Sequence, residues 1–280
     1  MADRVSVSIS DSGVADVRLT RAEKMNALDD AMFSGLIDAG LKLMDDRSVR
    51  AVVLSGEGRA FCAGLDFTSF QAMGNAGSGD AGSGSDGDAK PARGLLGGAG
   101  ESPANRAQRA AWIWNELPVP VIAAVHGVAY GGGLQVALGA DIRLVTPDAR
   151  MSVMEIKWGL IPDMSGTQTL RHLVRLDVAK ELTFTGRVVS GEEAVELGLA
   201  TRACEDPRAD ALAMAEEIAS KSPSAIRMGK ALLNESVHST IGEGLALEAR
   251  SQASLIAKPN QIEAVKSNME KRAPRFQDPE

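Results

Sequence analysis

The sequence predicts an α/β fold in which a sheet of short buried strands precedes a helical C-terminal region. Three apolar runs of strand length, AVVLSG, VPVIAAVHG and DIRLV, lie at residues 51–56, 119–127 and 141–145. Helix-forming segments separate these runs, and strands that alternate with helices favour parallel pairing in an α/β class. The strand pattern stops near residue 205, and the rest of the chain carries helix-capping residues and apolar stripes.

The chain begins with two predicted strands and a helix. VSVSI and ADVRL, at residues 5–9 and 15–19, have strand character and are separated by a DSG turn. Asp29 or Asp30 comes next, and aspartate caps a helix by accepting a hydrogen bond from its first turn. Four apolar residues then recur at helical spacing, namely Leu36, Ile37, Leu41 and Met44.

One segment departs from the alternation of strands and helices. Residues 74–100 consist mainly of Gly, Ser, Ala and Asp, and bury too little apolar surface to offset the entropy of ordering. An interdomain linker is one interpretation. Because the same alternation resumes afterwards, we predict a long, mobile, low-complexity loop within one domain, of a kind often found beside a site.

Helix starts mark the C-terminal part of the chain. They are the capping-box pairs Ser190 with Glu193 and Thr240 with Glu243, and the pair Ser222–Pro223. After Thr240 apolar residues recur at about every fourth position, at Ile241, Leu245, Ala249, Ala253 and Ile256. The sequence therefore predicts an α/β core over residues 1–205 and a helical region over residues 206–280.

Composition excludes several classes of protein. The net charge of −7 and pI of about 5.2 argue against nucleic-acid binding. No apolar run approaches the ~18–20 residues of a membrane span, and no basic-then-apolar leader begins the chain. Cys62 and Cys204 lie far apart without metal-ligand spacing. These features predict a reduced, cytoplasmic protein with no nucleic-acid partner.

Three consecutive glycines, Gly131 to Gly133, lie directly before an apolar stretch of helical character. Such a run costs conformational entropy, so it indicates unusual backbone angles or the close approach of another group. The start of a helix carries unpaired N–H groups and a partial positive charge. The stretch therefore predicts a place where an oxygen approaches the backbone, and the first polar side chain beside it is the amide of Gln135.

Four stretches of the chain together resemble a known family. They are RAEKMNAL (21–28), GRAFCAGLDF (58–67), AAVHGVAYGGGLQVALGADIRL (123–144) and EIKWGLIPDMSGTQTLRHLV (155–174). In this order and spacing they resemble the enoyl-CoA hydratase/isomerase family, the crotonase superfamily, and the resemblance extends to MEKRAPRF at 269–276. One such motif is not specific, whereas four in order are.

The resemblance implies a crotonase-like spiral of ββα units, with a helical C-terminal region used to assemble homotrimers or homohexamers. Family members bind acyl-CoA thioesters and polarise the thioester carbonyl with two backbone N–H groups. By resemblance these oxyanion-hole donors are Ala63 and Gly132. Donors aimed at a developing enolate often contribute ~3–4 kcal/mol each. For the glycines alone, close packing of a helix against a strand is the alternative explanation.

The resemblance also implies which groups move protons. The family's hydratases activate water with two carboxylates at the positions of Gln135 and Glu155, but an amide cannot act as a general base. The family's dienoyl-CoA isomerases carry an acid at the position of Asp163, which works with the residue at Glu155. Those isomerases have an aspartate where this chain has Gln135. Asp163 also has a second interpretation, as a turn or cap residue after Pro162.

Further positions match the family's substrate and CoA site. These candidates are Lys24, Ala27, Leu65, Asp66, Trp158 and Lys271. The two lysines would place positive charge near the CoA adenine and phosphates, although each is alternatively an ordinary surface residue. Asp66 matches a position near the entrance of the adenine pocket. Trp158 follows Glu155 by three residues and is expected to contact the acyl group.

The remaining candidate residues have structural interpretations. His126, His172 and His238 lack partners at metal-ligand or triad spacing, which favours structural or surface roles. Cys62 lies within the Ala63 motif and is interpreted as a small buried residue instead of a nucleophile. We therefore expect no metal and no separate cofactor, because coenzyme A would enter as part of the substrate.

Three functions remain open at this point. The favoured one is double-bond isomerisation of an enoyl-CoA or dienoyl-CoA, because Gln135 replaces a catalytic acid. The second is hydration by Glu155 alone, with Gln135 only orienting the water. The third is a non-catalytic paralogue that keeps the CoA pocket without its chemistry. A dinucleotide-binding protein is excluded because no G-x-G-x-x-G follows a strand.

Overall fold

The computed structural model describes residues 4–66 and 102–279. The loop predicted over residues 74–100 lies outside the described residues. Within the two described ranges the chain forms nine strands and ten α-helices, together with two short 3₁₀ helices. The α/β class with a helical C-terminal region is thereby confirmed.

The elements follow one another in a regular order. The strands are β1 (Val5–Ile9), β2 (Val14–Leu19), β3 (Ala51–Gly56), β4 (Val121–Val125), β5 (Val128–Tyr130), β6 (Ile142–Val145), β7 (Arg150–Ser152), β8 (Val189–Ser190) and β9 (Arg202–Ala203). The helices before the last strand are α1 (Asp30–Asp45), α2 (Arg106–Glu116), α3 (Gly132–Leu138), α4 (Gly166–Leu173), α5 (Leu176–Thr185) and α6 (Gly191–Leu197). The remaining helices are α7 (Pro207–Ala219), α8 (Pro223–Ser236), α9 (Ile241–Leu255) and α10 (Pro259–Met269). The 3₁₀ helices span Ala22–Lys24 and Glu155–Trp158.

A six-stranded sheet forms the centre of the molecule, in the order β1-β2-β3-β4-β6-β9. Only β1 and β2 pair antiparallel, through the hairpin at the start of the chain, and the four other pairings are parallel. The parallel pairing predicted from the alternating strands and helices is thus confirmed. Successive side chains of a strand point to opposite faces, so a sheet covered on both sides needs apolar residues at every position.

Strand β3 shows how the two faces of this sheet are covered. Val52 and Leu54 lie in the main core, beneath α1 and α2, whereas Ala51 and Val53 face a second, smaller core. Helix α7 closes that second core with Ala211 and Ala215. Helix α7 therefore packs on the sheet even though it lies beyond residue 205.

A second sheet of three strands, in the order β5-β7-β8, lies beside the first. Two consecutive ββα units, β4-β5-α3 and β6-β7-α4, each send their first strand to the large sheet and their second strand to the small one. This is the predicted spiral arrangement. The strands of the small sheet have two or three residues each, and apolar periodicity cannot identify runs that short.

The predicted helix starts agree with the structure in type and position. Asp29 caps α1 by accepting the N–H of Met32, and Ser222 precedes Pro223 at the start of α8. Thr240 and Glu243 form the predicted capping box of α9. Ser190 caps α6 by accepting the N–H of Glu193, but the predicted capping box is only half formed, because the Glu193 carboxylate pairs with Arg187. Each cap satisfies an N–H group that the helix itself leaves unpaired.

Candidate active site

The segment that follows β3 lies alongside β5 and brings Ala63 close to the glycine turn. Cys62 N–H donates to Val128 O at 3.0 Å, and Tyr130 N–H donates back to Cys62 O at 3.1 Å. Gly64 has φ of +88°, and a Cβ at this position would lie 2.5 Å from Tyr130 O and 3.7 Å from the backbone nitrogen of Gly132. Only glycine allows this approach. The fold thus places the two predicted oxyanion-hole residues, Ala63 and Gly132, beside each other.

The two backbone donors differ in what they contact. Gly132 is the first residue of α3, and its N–H makes no hydrogen bond within the part of the chain that the structure describes. The N–H of Ala63 donates to Met25 O at 2.9 Å. An incoming oxygen can bind the Gly132 donor directly, whereas at Ala63 it must share or replace the Met25 carbonyl.

Gln135 lies one helical turn into α3 and is buried, with 2% of its surface exposed. Its Oε1 accepts the N–H groups of Met164 and Gly166, both at 2.8 Å, at the start of α4. Its Nε2 donates to Glu155 Oε1 at 2.5 Å. Because the two backbone donors need an acceptor, they fix which end of the amide is oxygen. Gln135 therefore connects α3, α4 and the carboxyl group of Glu155.

Glu155 is buried at the first residue of the 3₁₀ helix Glu155–Trp158. Its carboxyl group lies against the glycine turn, since a Cβ on Gly131 would be 3.3 Å from Glu155 Oε1. Oε2 is buried and has no hydrogen-bond partner within the described residues. Burial raises the pKa of Glu155 above its ordinary value, the bond from Gln135 opposes this, and the charge of Asp163 raises it further.

Asp163 lies in the turn between Pro162 and α4 and is exposed. Partial desolvation by neighbouring atoms nevertheless raises the pKa of its carboxyl group. Its negative charge contributes to the raised pKa of Glu155, after the larger effect of burial. The structure thus places Asp163 in a turn, as the second interpretation expected. A catalytic role for it stays a prediction.

The predicted CoA-site residues fall into two groups. Ala27, Leu65 and Asp66 lie together: Leu28 N–H donates to Gly64 O at 2.8 Å, and Asp66 N–H donates to Leu28 O at 3.0 Å. Lys24, Trp158 and Lys271 are exposed. The Lys157 ammonium lies 5.5 Å from the centre of the Trp158 ring, and Lys271 follows α10 in the C-terminal region. The binding roles of all six residues stay predictions.

Two buried polar residues of the first motif were missed by the sequence analysis. The Arg21 guanidinium pairs with Asp66 at 2.6 Å and donates to Ala27 O at 3.0 Å, so the carboxylate of Asp66 is engaged by the protein itself. Asn26 is fully buried. Both lie in the stretch RAEKMNAL, and a charged or amide residue beside predicted site residues was the signal that could have identified them.

The contacts of Cys62 and the three histidines agree with the structural or surface interpretations given to them. Burial raises the pKa of the Cys62 thiol to about 12, which disfavours the nucleophilic thiolate. His126 Nε2 lies 2.9 Å from Gly58 O, and the rings of His172 and His238 meet edge to face with centres 5.6 Å apart. Among the described residues no three His, Cys, Asp or Glu side chains form a group that could hold a metal ion. No helix in the described ranges is long and apolar enough to cross a membrane.

Comparison with known proteins identifies relatives over nearly the whole chain. Residues 14–215 match the family model described as Enoyl-CoA hydratase/isomerase. "Enoyl-CoA hydratase domain-containing protein 2, mitochondrial" of Mus musculus is 34% identical over 274 residues, covering 94% of this chain and 84% of the relative. "Delta(3,5)-Delta(2,4)-dienoyl-CoA isomerase, mitochondrial" of Mus musculus is 32% identical over 274 residues, covering 96% and 80%.

A solved structure agrees with these sequence matches. The crystal structure of a putative enoyl-CoA hydratase from Streptomyces coelicolor A3(2) superposes with a TM-score of 0.82 and 32% sequence identity. The match covers 99% of this chain and 94% of that chain. Sequence and fold therefore lead to the same family, and the relatives include proteins named for different reactions.

Proposed function

The chain belongs to the enoyl-CoA hydratase/isomerase family, and we propose that it isomerises a double bond of an enoyl-CoA or dienoyl-CoA thioester. One observation carries the proposal. Gln135 is neutral and fully occupied on its acceptor side by two backbone N–H groups, so proton transfer falls to Glu155 and Asp163. Both carboxyl groups have a raised pKa, which suits groups that take up and return a proton.

The proposed mechanism begins at the glycine turn. The thioester carbonyl oxygen accepts the N–H of Gly132 and shares the N–H of Ala63 with Met25 O. Glu155 Oε2 then removes a proton from the acyl chain, and the resulting enolate is stabilised by the donors as its oxygen gains charge. Asp163 in its protonated form gives its proton to a second carbon, which moves the double bond; the site is restored when Glu155 releases the abstracted proton to solvent and Asp163 takes one up. These steps use protein groups and the thioester alone, with no separate cofactor or metal.

Gln135 has a defined part in this scheme. Its bond to Glu155 Oε1 leaves Oε2 as the reacting atom and holds the carboxyl group in one orientation. A neutral side chain also avoids placing a second negative charge beside Glu155, which would raise that group's pKa further. The amide is therefore an orienting group, and it does not itself transfer a proton.

A second candidate function, hydration of a 2-enoyl-CoA, is favoured by a different observation. Gln135 Nε2 carries a second proton for which no hydrogen bond is seen among the described residues. That proton and Glu155 Oε2 are a donor and an acceptor that suit a water molecule. Hydration would then proceed with one carboxylate, the amide only orienting the water.

The two functions are separated by a comparison of variants on three substrates. Isomerisation of 3-enoyl- and 3,5-dienoyl-CoA and hydration of 2-enoyl-CoA are followed by absorbance for the parent, Asp163→Asn and Gln135→Glu. We expect Asp163→Asn to lower isomerisation by ~10²–10⁴-fold and to leave any hydration intact. Gln135→Glu should raise hydration and weaken isomerisation, because a second carboxylate replaces the amide beside Glu155.

The control for added charge is Gln252→Glu, which makes the same chemical change on the exposed face of α9. It should alter neither activity. If the parent hydrates 2-enoyl-CoA rapidly and Asp163→Asn does not change that rate, the function is hydration. If the protein binds CoA thioesters but turns over none of the three substrates, the third interpretation, a non-catalytic paralogue, is supported.

We also propose that the chain assembles into a homotrimer or a dimer of trimers, as the resemblance implies. Helices α8 to α10 expose large apolar side chains, including Ile241 at 85% and Met269 at 80% exposure. Burying such side chains against another copy would be favourable. In that assembly Lys271 would approach the CoA of a neighbouring subunit. Sedimentation at micromolar concentration should give an oligomer, and a monomer would contradict this proposal.

A further inference from the structure

Asn26 is a buried amide beside the candidate oxyanion hole, and among the described residues its side chain bonds only to backbone groups. It is 0% exposed. Its Oδ1 accepts the N–H of Arg21 at 2.9 Å. Its Nδ2 donates to Glu57 O at 3.0 Å and to Ala60 O at 2.8 Å, so both amide protons are used. A buried amide this completely paired holds its neighbours in one arrangement.

These bonds join two segments of the chain that form one side of the site. One is the loop that contains Arg21 and Asn26, and the other is the segment 57–64 that leads to Ala63. The backbone of the loop adds two contacts at the site itself: Met25 O accepts the N–H of Ala63 at 2.9 Å, and Asn26 O accepts from Cys62 Sγ at 3.1 Å. The loop therefore contacts the Ala63 peptide directly on the side opposite β5.

The conformation of the loop depends on this residue. Met25 and Asn26 are consecutive left-handed residues, with φ of 50° and 55°. Left-handed residues other than glycine are unfavourable, and asparagine is among those that tolerate the region best. The bonds to Glu57 O and Ala60 O hold the loop on segment 57–64, before the point where Leu28 N–H donates to Gly64 O.

We propose that Asn26 is the positioning residue of the oxyanion hole, which fixes the direction of the Ala63 N–H by clamping the loop to segment 57–64. The inference rests on the proposed function, because it assumes that Ala63 donates to a thioester oxygen. It predicts that Asn26 variants lose enolate stabilisation while they still bind CoA. An N–H donor that points away from the enolate oxygen stabilises its developing charge little, because this stabilisation depends on preorganised geometry.

The test uses a ligand that reports on the donors without turnover. Acetoacetyl-CoA forms an enolate that absorbs in the near ultraviolet. When the ligand is bound, hydrogen bonds from the oxyanion-hole donors lower the pH at which this enolate forms. The wild-type protein should enolise the bound ligand at lower pH than the free ligand. In Asn26→Ala the enolisation constant should fall by about tenfold to a hundredfold, whereas the Kd for the ligand at low pH should change less than about threefold.

Two further variants separate the side-chain bonds from the backbone conformation. Asn26→Gly adopts the left-handed region without strain, so it should fold, yet it lacks all three bonds. Asn26→Asp keeps the acceptor for Arg21 N–H but faces Glu57 O and Ala60 O with an oxygen, so we expect it to lose most enolisation. If Asn26→Gly enolises the ligand like the wild type, backbone conformation suffices and the proposal is overturned.

The matched control is Asn260, a second buried asparagine with the same number of side-chain bonds. It bonds to Ser224 Oγ, Gln277 O and Gln277 N–H in the C-terminal region. Asn260→Ala should be destabilised without loss of enolisation. Equal loss in both variants would overturn the proposal, since a general loss of packing would explain it. A wild-type protein that leaves the ligand unenolised would overturn the proposed function and this inference with it.

Discussion

Glu155 and Lys230 are both buried ionisable residues, but the fold supplies them with different numbers of partners. Lys230 on α8 has three acceptors for its three protons: Asp141 Oδ2 at 2.8 Å, Val119 O at 3.0 Å and Trp114 O at 3.3 Å. Glu155 has one neutral donor on Oε1, and its Oε2 has no hydrogen-bond partner in the ranges 4–66 and 102–279. One group is saturated with partners and the other is left half satisfied.

The surroundings of the two groups explain the difference. Lys230 joins the C-terminal helices to the end of α2 and the start of β4, where Asp141 also accepts the N–H of Val121 at 2.7 Å. Burial lowers the pKa of Lys230, and Asp141 opposes this. At Glu155 burial and the nearby charge of Asp163 both raise the pKa. The buried charge of Lys230 is compensated by its partners, whereas an unpaired oxygen on Glu155 suits the proton transfer proposed for it.

The largest expected effect comes from removing the half-satisfied group. Glu155→Gln should lower kcat by ~10²–10⁴-fold on the best substrate, with little change in CoA binding, because an amide cannot take up the proton. Steady-state kinetics and ligand titration measure the two quantities. Unchanged turnover would remove Glu155 from the mechanism.

The stability of the same variant should depend on pH in a defined direction. The folded-state pKa of Glu155 is raised above its ordinary value of 4.5. A carboxyl group whose pKa is raised in the folded state contributes stability at a pH below its ordinary pKa. This contribution is lost as the pH rises through the folded-state pKa. Glutamine does not titrate, so the Tm of Glu155→Gln relative to wild type should increase from acidic to neutral pH. A constant difference would show that burial of Glu155 has no such cost.

Breaking the saturated cluster should affect stability instead of chemistry. Lys230→Met leaves Asp141 partly buried without its cation, and loss of one partner of a buried pair costs about 3–5 kcal/mol. Denaturant unfolding should show this loss, while kcat per folded molecule should stay within about twofold of the parent value. The control is Lys221→Met, which removes an exposed lysine 3.8 Å from Glu217 and should cost less than about 1 kcal/mol. Equal losses in the two variants would contradict the comparison.

The sequence alone determined the fold class and the family, and it supplied the candidate site residues as predictions. Apolar runs at 51–56 and 141–145 became parallel strands because a strand buried on both faces must be apolar throughout. Caps such as Asp29 and Thr240 marked helix starts because they satisfy N–H groups within a few residues. Strand runs and helix caps depend on residues close together in the sequence, so they can be identified without knowledge of the tertiary contacts.

Only the tertiary structure decided how distant residues are connected. Gln135 meets Glu155 and the start of α4 across separate elements, and Asn26 meets Ala60 from another segment of the chain. The sequence placed Asp66 near a pocket, but the fold pairs its carboxylate with Arg21. Whether a buried polar group is saturated or left with a free atom depends on which partners the chain brings within hydrogen-bond distance. That distance is set by the packing of the whole fold, and neither residue type nor spacing along the chain contains it.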